Sequence, residues 1–139
     1  MEYQREDDCI FCKILKGDIP SYKVYEDDSF IGILDINPSA KGHVIIIPKN
    51  HAANIFELSE KDAKEIFVVA KKIAEAIKKA YQPDGINILQ NNGEAAGQTV
   101  FHLHVHVIPR YKDDTIKIEW EPKEMEDLEK VLEEIKKEM

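Results

Sequence analysis

The sequence predicts an α+β domain built on a mostly antiparallel five-stranded sheet, and three observations carry that expectation. Strand candidates come in runs joined by short turns, two long helical stretches lie between and after them, and helices are too few for a doubly wound parallel sheet. With 139 residues, 43% of them apolar and 33% charged, the chain is long enough to bury one ordinary core. It has no Pro/Gly/Ser-rich linker, internal repeat or low-complexity tract. Residues 1–139 are therefore read as one domain, with a core over about 9–110 and a helical tail over about 122–139.

Cys9 to Lys16 reads as a short helix, stopped by Gly17 and followed by Pro20. Strands are expected at Tyr22 to Glu26, Ser29 to Asp35 and Gly42 to Pro48. Asp27-Asp28 would turn the first hairpin, and Asn37-Pro38-Ser39 would lie in the loop before the third strand. Ser59 has the character of an N-cap, with Asp62 three residues on. Ala63, Ile66, Val69, Ala70, Ile73 and Ile77 then recur at helical spacing to about Tyr81. Pro83-Asp84-Gly85 breaks the chain. Strands at Ile86 to Asn91 and Val100 to Pro109 follow, separated by the polar loop from Asn92 to Gln98. After Pro122, the spacing of Met125, Leu128, Leu132, Ile135 and Met139 predicts an amphipathic helix that serves a dimer contact or caps the sheet.

A net charge of -8 argues against a sequence-independent grip on nucleic acid, which depends on Lys and Arg neutralising phosphates. It leaves room for a small phosphorylated ligand held by a few local donors. No apolar run approaches a membrane span, and the start MEYQREDDC is acidic where a secretory signal would be basic and then apolar. The expectation is a cytoplasmic protein that engages no membrane. In that compartment Cys9 and Cys12, spaced C-x-x-C, read less as a disulfide than as a redox pair or half of a zinc site. A thioredoxin-like motif should follow a strand, and none precedes Cys9, so zinc is favoured if two more ligands exist.

The run His102-Leu103-His104-Val105-His106 is the richest chemical signal. Side chains alternate along a strand, so the three histidines would share one face at steps of roughly 6.5–7 Å, with Leu103, Val105 and Val107 on the other. H-x-H on a strand is also a way to hold a metal, and a lone strand histidine is usually structural. Three at period two, preceded by Gly97-Gln98-Thr99, are hard to explain by packing. Imidazole changes charge nearest neutral pH, so such a row can supply a nucleophile, a proton donor and a phosphate ligand.

Gln98 to Val107 resembles the His-φ-His-φ-His-φ-φ signature of the histidine triad family, most closely its HINT-type branch. The likeness continues through Ile10-Phe11-Cys12-Lys13-Ile14, Ile19-Pro20, Leu34 to Pro38, Gly42-His43-Val44 and Ile47 to His51. It covers most of the chain from about Cys9 to Ile108 and little after Arg110.

The resemblance implies a HIT-like fold and a nucleotide-binding hydrolase or nucleotidyl transferase. In it, His104 is the nucleophile that displaces a leaving group from the α-phosphorus and forms a nucleotidyl-histidine. A backbone carbonyl is the expected acceptor that orients its ring, and His106 donates to a phosphate oxygen or the leaving group. Gln98 and Thr99 would bind the same phosphate, with Asn91 nearby and His43 as a supporting histidine. Asp35 would accept the ribose hydroxyls, although an Asp before Asn37-Pro38 also reads as a turn former. Phe11, Ile14, Ile19 and Ile36 correspond to the wall of the base pocket. A distant relative, galactose-1-phosphate uridylyltransferase, builds a zinc site whose matching positions here are Cys9, Cys12, His51 and His102. Two thiolates and two imidazoles form a closed, structural set. His51 is preferred to His43, and His102 would then be committed to metal.

The resemblance further implies a homodimer and, as substrates, nucleoside 5′-phosphoramidates or related purine nucleotide conjugates. Two alternatives are a dinucleoside polyphosphate hydrolase and a zinc-stabilised nucleotide-binding or scaffold module with little turnover.

Overall fold

The computed structural model describes residues 2–139. Helix α1 (Ile10–Lys16) is followed by strands β1 (Lys23–Glu26), β2 (Phe30–Leu34) and β3 (Val44–Pro48). The long helix α2 (Glu60–Tyr81), strands β4 (Gly85–Gln90) and β5 (Val105–Arg110), and helix α3 (Leu128–Glu138) complete the order. A single 3-10 turn, Glu94–Ala96, lies in the loop between β4 and β5. The five strands form one sheet in the order β1-β2-β3-β5-β4, and every pairing is antiparallel. No helix among the described residues is long and apolar enough to cross a membrane.

Local chemistry explains where the helices begin and end. The Cys9 sulfur accepts the Cys12 backbone N–H and caps α1, and Gly17 closes it at φ 86°. The Ser59 side chain accepts the Asp62 N–H, and α2 then runs to Tyr81 as the apolar spacing predicts.

Alternation along the strands gives the sheet two different faces. Phe30, Val44, Ile46, Val105 and Val107 point to α2, where they meet Ile66, Val69, Ala70 and Ile73. Ile31, Ile33, Ile45 and Ile47 point the other way and meet Phe11 of α1. Strand β3 is thus buried on both faces, and each fully buried isoleucine there contributes about 1.5–3 kcal/mol.

Two expectations are corrected. The last strand begins at Val105 rather than Val100, because β3 and β4 both pair with β5 only as far as Val105. The residues before it are held differently: Leu103 N–H donates to Ala52 O at 2.7 Å. Only His106 of the histidine run is therefore inside the strand. The C-terminal helix starts at Leu128, leaving Met125 outside, and none of its residues is buried, so it does not cap the sheet of its own chain.

Gly32 sits where the sheet meets α2, and a Cβ there would stand 2.8 Å from Ile73 Cδ1 and 3.3 Å from Tyr25 Cβ. Gly32→Val should therefore lower stability by about 1–3 kcal/mol through overpacking, read from urea denaturation. An unchanged midpoint would contradict this packing.

Candidate active site and metal cluster

The residues around the histidine run form two adjoining sites, one on each side of His102. The first is a cluster of Cys9, Cys12, His51 and His102, whose possible ligand atoms all lie within 4.8 Å of one another. Cys9 Sγ is 3.3 Å and Cys12 Sγ 3.5 Å from His102 Nδ1. Cys12 Sγ is 3.5 Å from His51 Nδ1, and the two Nδ1 atoms are 3.1 Å apart. For a tetrahedral ion with bonds of about 2.0–2.3 Å, neighbouring ligand atoms stand roughly 3.3–3.8 Å apart. The cluster is close to that spacing without rearrangement.

Its tautomers also suit a cation. His102 is fully buried, and its Nε2 lies 2.9 Å from Pro48 O, a group that can only accept. The ring proton is therefore on Nε2, and the Nδ1 lone pair faces the thiols. Burial holds His102 down at about 4, so its imidazole is neutral at pH 7. His51 places Nε2 3.6 Å from a Glu6 carboxylate oxygen and turns Nδ1 inward. Burial pushes the Cys9 thiol up to about 11, while the Cys12 and Phe11 backbone N–H groups act against that shift. A cation is what would make such a thiol ionise. Both cysteines are free thiols. The donor set therefore fits a four-coordinate metal.

The second site is a cleft of about 320 Å³ on the α1 side of the sheet. His104 and His106 stand in it with ring centroids 4.9 Å apart, and the Phe11 ring is set nearly perpendicular to that of His104 with centroids 5.0 Å apart. The three imidazoles are thus not a uniform row. His102 turns into the metal cluster, and the other two face the cleft.

Each cleft histidine has its proton placed by a neighbour. His104 Nδ1 lies 2.8 Å from His102 O, so Nδ1 carries the proton and Nε2 keeps its lone pair. Ser39 N–H donates to His43 Nδ1 at 3.1 Å, which leaves the proton of a neutral His43 on Nε2. That Nε2 is 3.0 Å from His106 Nδ1, so it donates there and the His106 proton is left on Nε2. Burial lowers all three rings, with His106 at about 4, and the charged forms of His104 and His43 add to the effect on His106. The cleft therefore offers an unprotonated nitrogen beside a nitrogen that carries a proton.

The other candidate residues separate into two groups. Phe11, Ile14, Ile19, Asp35, Ile36 and Thr99 line the cleft with the two histidines. Asp35 forms the turn, its Oδ1 accepting the Asn37 N–H at 2.9 Å, while Oδ2 is 3.7 Å from His43 Nε2. Gln98 and Asn91 are not on the lining. Gln98 is buried, its amide donating to Ala53 O and Val100 O and accepting from Gly93 N–H. It ties together the loop that presents Thr99. Asn91 packs under Gly97 in the same loop. The carbonyls of Pro48 and His102 and the Ser39 N–H are functional groups that side-chain patterns cannot reveal. Ser21 and Val100 also line the cleft, and a polar residue beside Pro20 was the only sequence hint of them.

Comparison with known proteins gives a consistent answer. The family model for the HIT domain matches residues 16–113. An adenosine 5′-monophosphoramidase from Schizosaccharomyces pombe is 46% identical over 106 residues, covering 76% of this chain and 77% of its own length. A crystal structure from Streptococcus mutans has a TM-score of 0.92 at 46% identity, over 96% of this chain and 87% of that one. A zinc-bound histidine triad family protein from Mycobacterium smegmatis has a TM-score of 0.75 at 37% identity, over 95% of this chain and 98% of that one. This chain belongs to the histidine triad family.

Proposed function

We propose that the protein is a nucleotide hydrolase or nucleotidyl transferase acting at the α-phosphorus of nucleoside 5′-phosphoramidates or related purine nucleotide conjugates. The observation that carries this reading is the pair of opposite tautomers, His104 with Nε2 free and His106 with Nε2 protonated. The activity named for the fission yeast relative supplies the substrate class.

In the proposed reaction His104 Nε2 attacks phosphorus while the His106 Nε2 proton passes to the leaving amine, so that a P–N bond to His104 forms as the P–N bond to the amine breaks. Water then attacks phosphorus and gives a proton to His106 Nε2, restoring it as the His104–phosphorus bond breaks. The His102 carbonyl holds the imidazolium that develops at His104. Phe11, Ile14, Ile19 and Ile36 would enclose the base, and the remaining lone pairs of Asp35 would accept the ribose hydroxyls. Thr99 would hold the phosphate, with Gln98 and Asn91 shaping its loop. The cleft lies at the small end of ligand-pocket sizes and suits one nucleotide better than a dinucleoside polyphosphate.

The ion that suits the cluster is zinc, and Cys9, Cys12, His51 and His102 would hold it. It would supply structural restraint, with no open position for substrate. Free thiols in such a set suit the reducing cytoplasm. A homodimer joined through β4 is also part of the proposal. That edge strand carries no charged residue, and the exposed Phe67 and Val68 lie on the neighbouring helix.

Four outcomes test these readings. His104→Ala should lower turnover of adenosine phosphoramidate by about 10⁴-fold or more, with diadenosine polyphosphate a poorer wild-type substrate. Equal activity in wild type and variant would remove the nucleophile assignment. Zinc content, measured by elemental analysis, should fall in Cys9→Ser from one ion per chain towards none; an unchanged content would contradict the ligand set. Light scattering should give the mass of two chains.

The fourth outcome concerns pH. The folded His106 titrates near 4, below the ordinary value of about 6.5, so between those values the unfolded chain binds protons that the folded one does not. His106 thus lowers stability as pH falls through that window and leaves it unaffected above it. His106→Asn should flatten the acid side of the denaturation profile, and an unaltered slope would count against the buried neutral ring.

A further inference from the structure

Helix α2 leaves one margin of its side of the sheet open, at Val24 and Leu34. It packs on β3 and β5. A helix about 10–12 Å across covers roughly two strands spaced at about 4.8 Å; Ile73 still reaches Gly32 of β2, while Val24 of β1 and the end of β2 at Leu34 stay at its margin. The result is a groove of about 500 Å³ between Val24, Tyr25 and Leu34 of the sheet and Ile73, Ala76 and Ile77 of α2. Two lysines line it. Lys72 stands at the α2 position where the groove begins, and Lys41 lies 4.9 Å from the ring of Tyr81, where it ends. Among the described residues neither has a carboxylate within 4.0 Å.

The same molecule carries a helix without a surface to cover. Helix α3 has 11 residues and buries none of them, leaving Leu128, Leu132 and Ile135 each more than half exposed on one stripe. A helix of that length is marginal in water and draws its stability from burying an apolar face. At 100° per residue, Glu138 and Glu134 border one edge of the stripe and Lys136 and Glu129 the other, and acids outnumber lysines seven to three from Glu124 to Glu138. Its length, about 16 Å, matches strands of five residues.

We propose that the groove between α2 and β1–β2 receives helix α3 of a second copy of this chain. Apolar stripe meets apolar walls, and the stripe's bordering glutamates meet Lys41 and Lys72. Helix α3 buries no residue against its own chain, which favours a second copy over the chain's own groove. The groove also shares Asp35 and His43 with the back of the cleft, so the incoming helix would brace the relay behind His106. The proposal needs a second copy but not the catalytic reading.

Full-length protein with Leu132 replaced by a photo-crosslinking benzoylphenylalanine, and a second form with the group at exposed Val24, would each be co-refolded as mixtures of ¹⁴N- and ¹⁵N-labelled chains. After irradiation, crosslinked peptides are identified by mass. The expected result is mixed-label pairs joining α3 to Ala76–Tyr81 or to β1–β2, from both probe positions, and reduced by Lys72→Glu. Same-label pairs alone would mean docking within one chain and would overturn the second-copy assignment. Crosslinks into Ile55–Phe67, or none to the groove from either position, would overturn the groove itself.

Discussion

The His102 carbonyl accepts the Nδ1–H of His104 at 2.8 Å, while the ring of the same residue closes the Cys9–Cys12–His51 cluster. One residue therefore serves two sites through different atoms. Its backbone sets the tautomer of the candidate nucleophile, and its side chain fixes that backbone by bonding to Pro48 O and facing two sulfurs. A rotation of the His102 peptide would leave the His104 proton free to sit on either nitrogen, and the tautomer with Nε2 unprotonated would no longer be selected. The cluster matters to the cleft because it prevents that rotation. Rigid support of this kind is worth more than a further contact to substrate, since reactivity falls steeply when a reacting group is misplaced.

The double-faced sheet makes this arrangement possible. One core, against α2, holds β3 and β5 from behind through Val44, Ile46, Val105 and Val107. The other, against α1, packs Ile31, Ile33, Ile45 and Ile47 under Phe11, whose ring is then set T-shaped against those of both His102 and His104. The N-terminal helix thus contributes a wall of the cleft, and its cap Cys9 belongs to the cluster. The second histidine chain, Ser39 to His43 to His106, reaches the cleft from the loop before β3. Burial lowers His43, His104 and His106 alike, so direction of hydrogen bonding, and not charge, distinguishes the candidate nucleophile from the candidate donor.

Elements governed by their own side chains were legible in the sequence. Helix α2 follows from Ser59 and its apolar spacing, and β3 from its unbroken apolar run. The start of β5 was not legible, because it depends on where two partners stop: the β3 and β4 ladders both end at Val105. The alternation alone put three histidines on one face; the resemblance assigned His102 to the cysteines, and the structure places it there. Gln98 looks like a ligand-binding amide in sequence but meets three backbone groups that no local pattern reveals. The stripe of α3 was legible as well, whereas its partner is absent from its own chain.

The central claim is that His104 Nε2 bonds covalently to phosphorus during turnover. Wild-type protein mixed with adenosine phosphoramidate, quenched with base within the first turnover and digested, would report this by mass. The account predicts an adenylyl group on the peptide containing His104, lost when that residue is alanine. Turnover with no adenylylated peptide at any quench time, or with the group on His106, would contradict it.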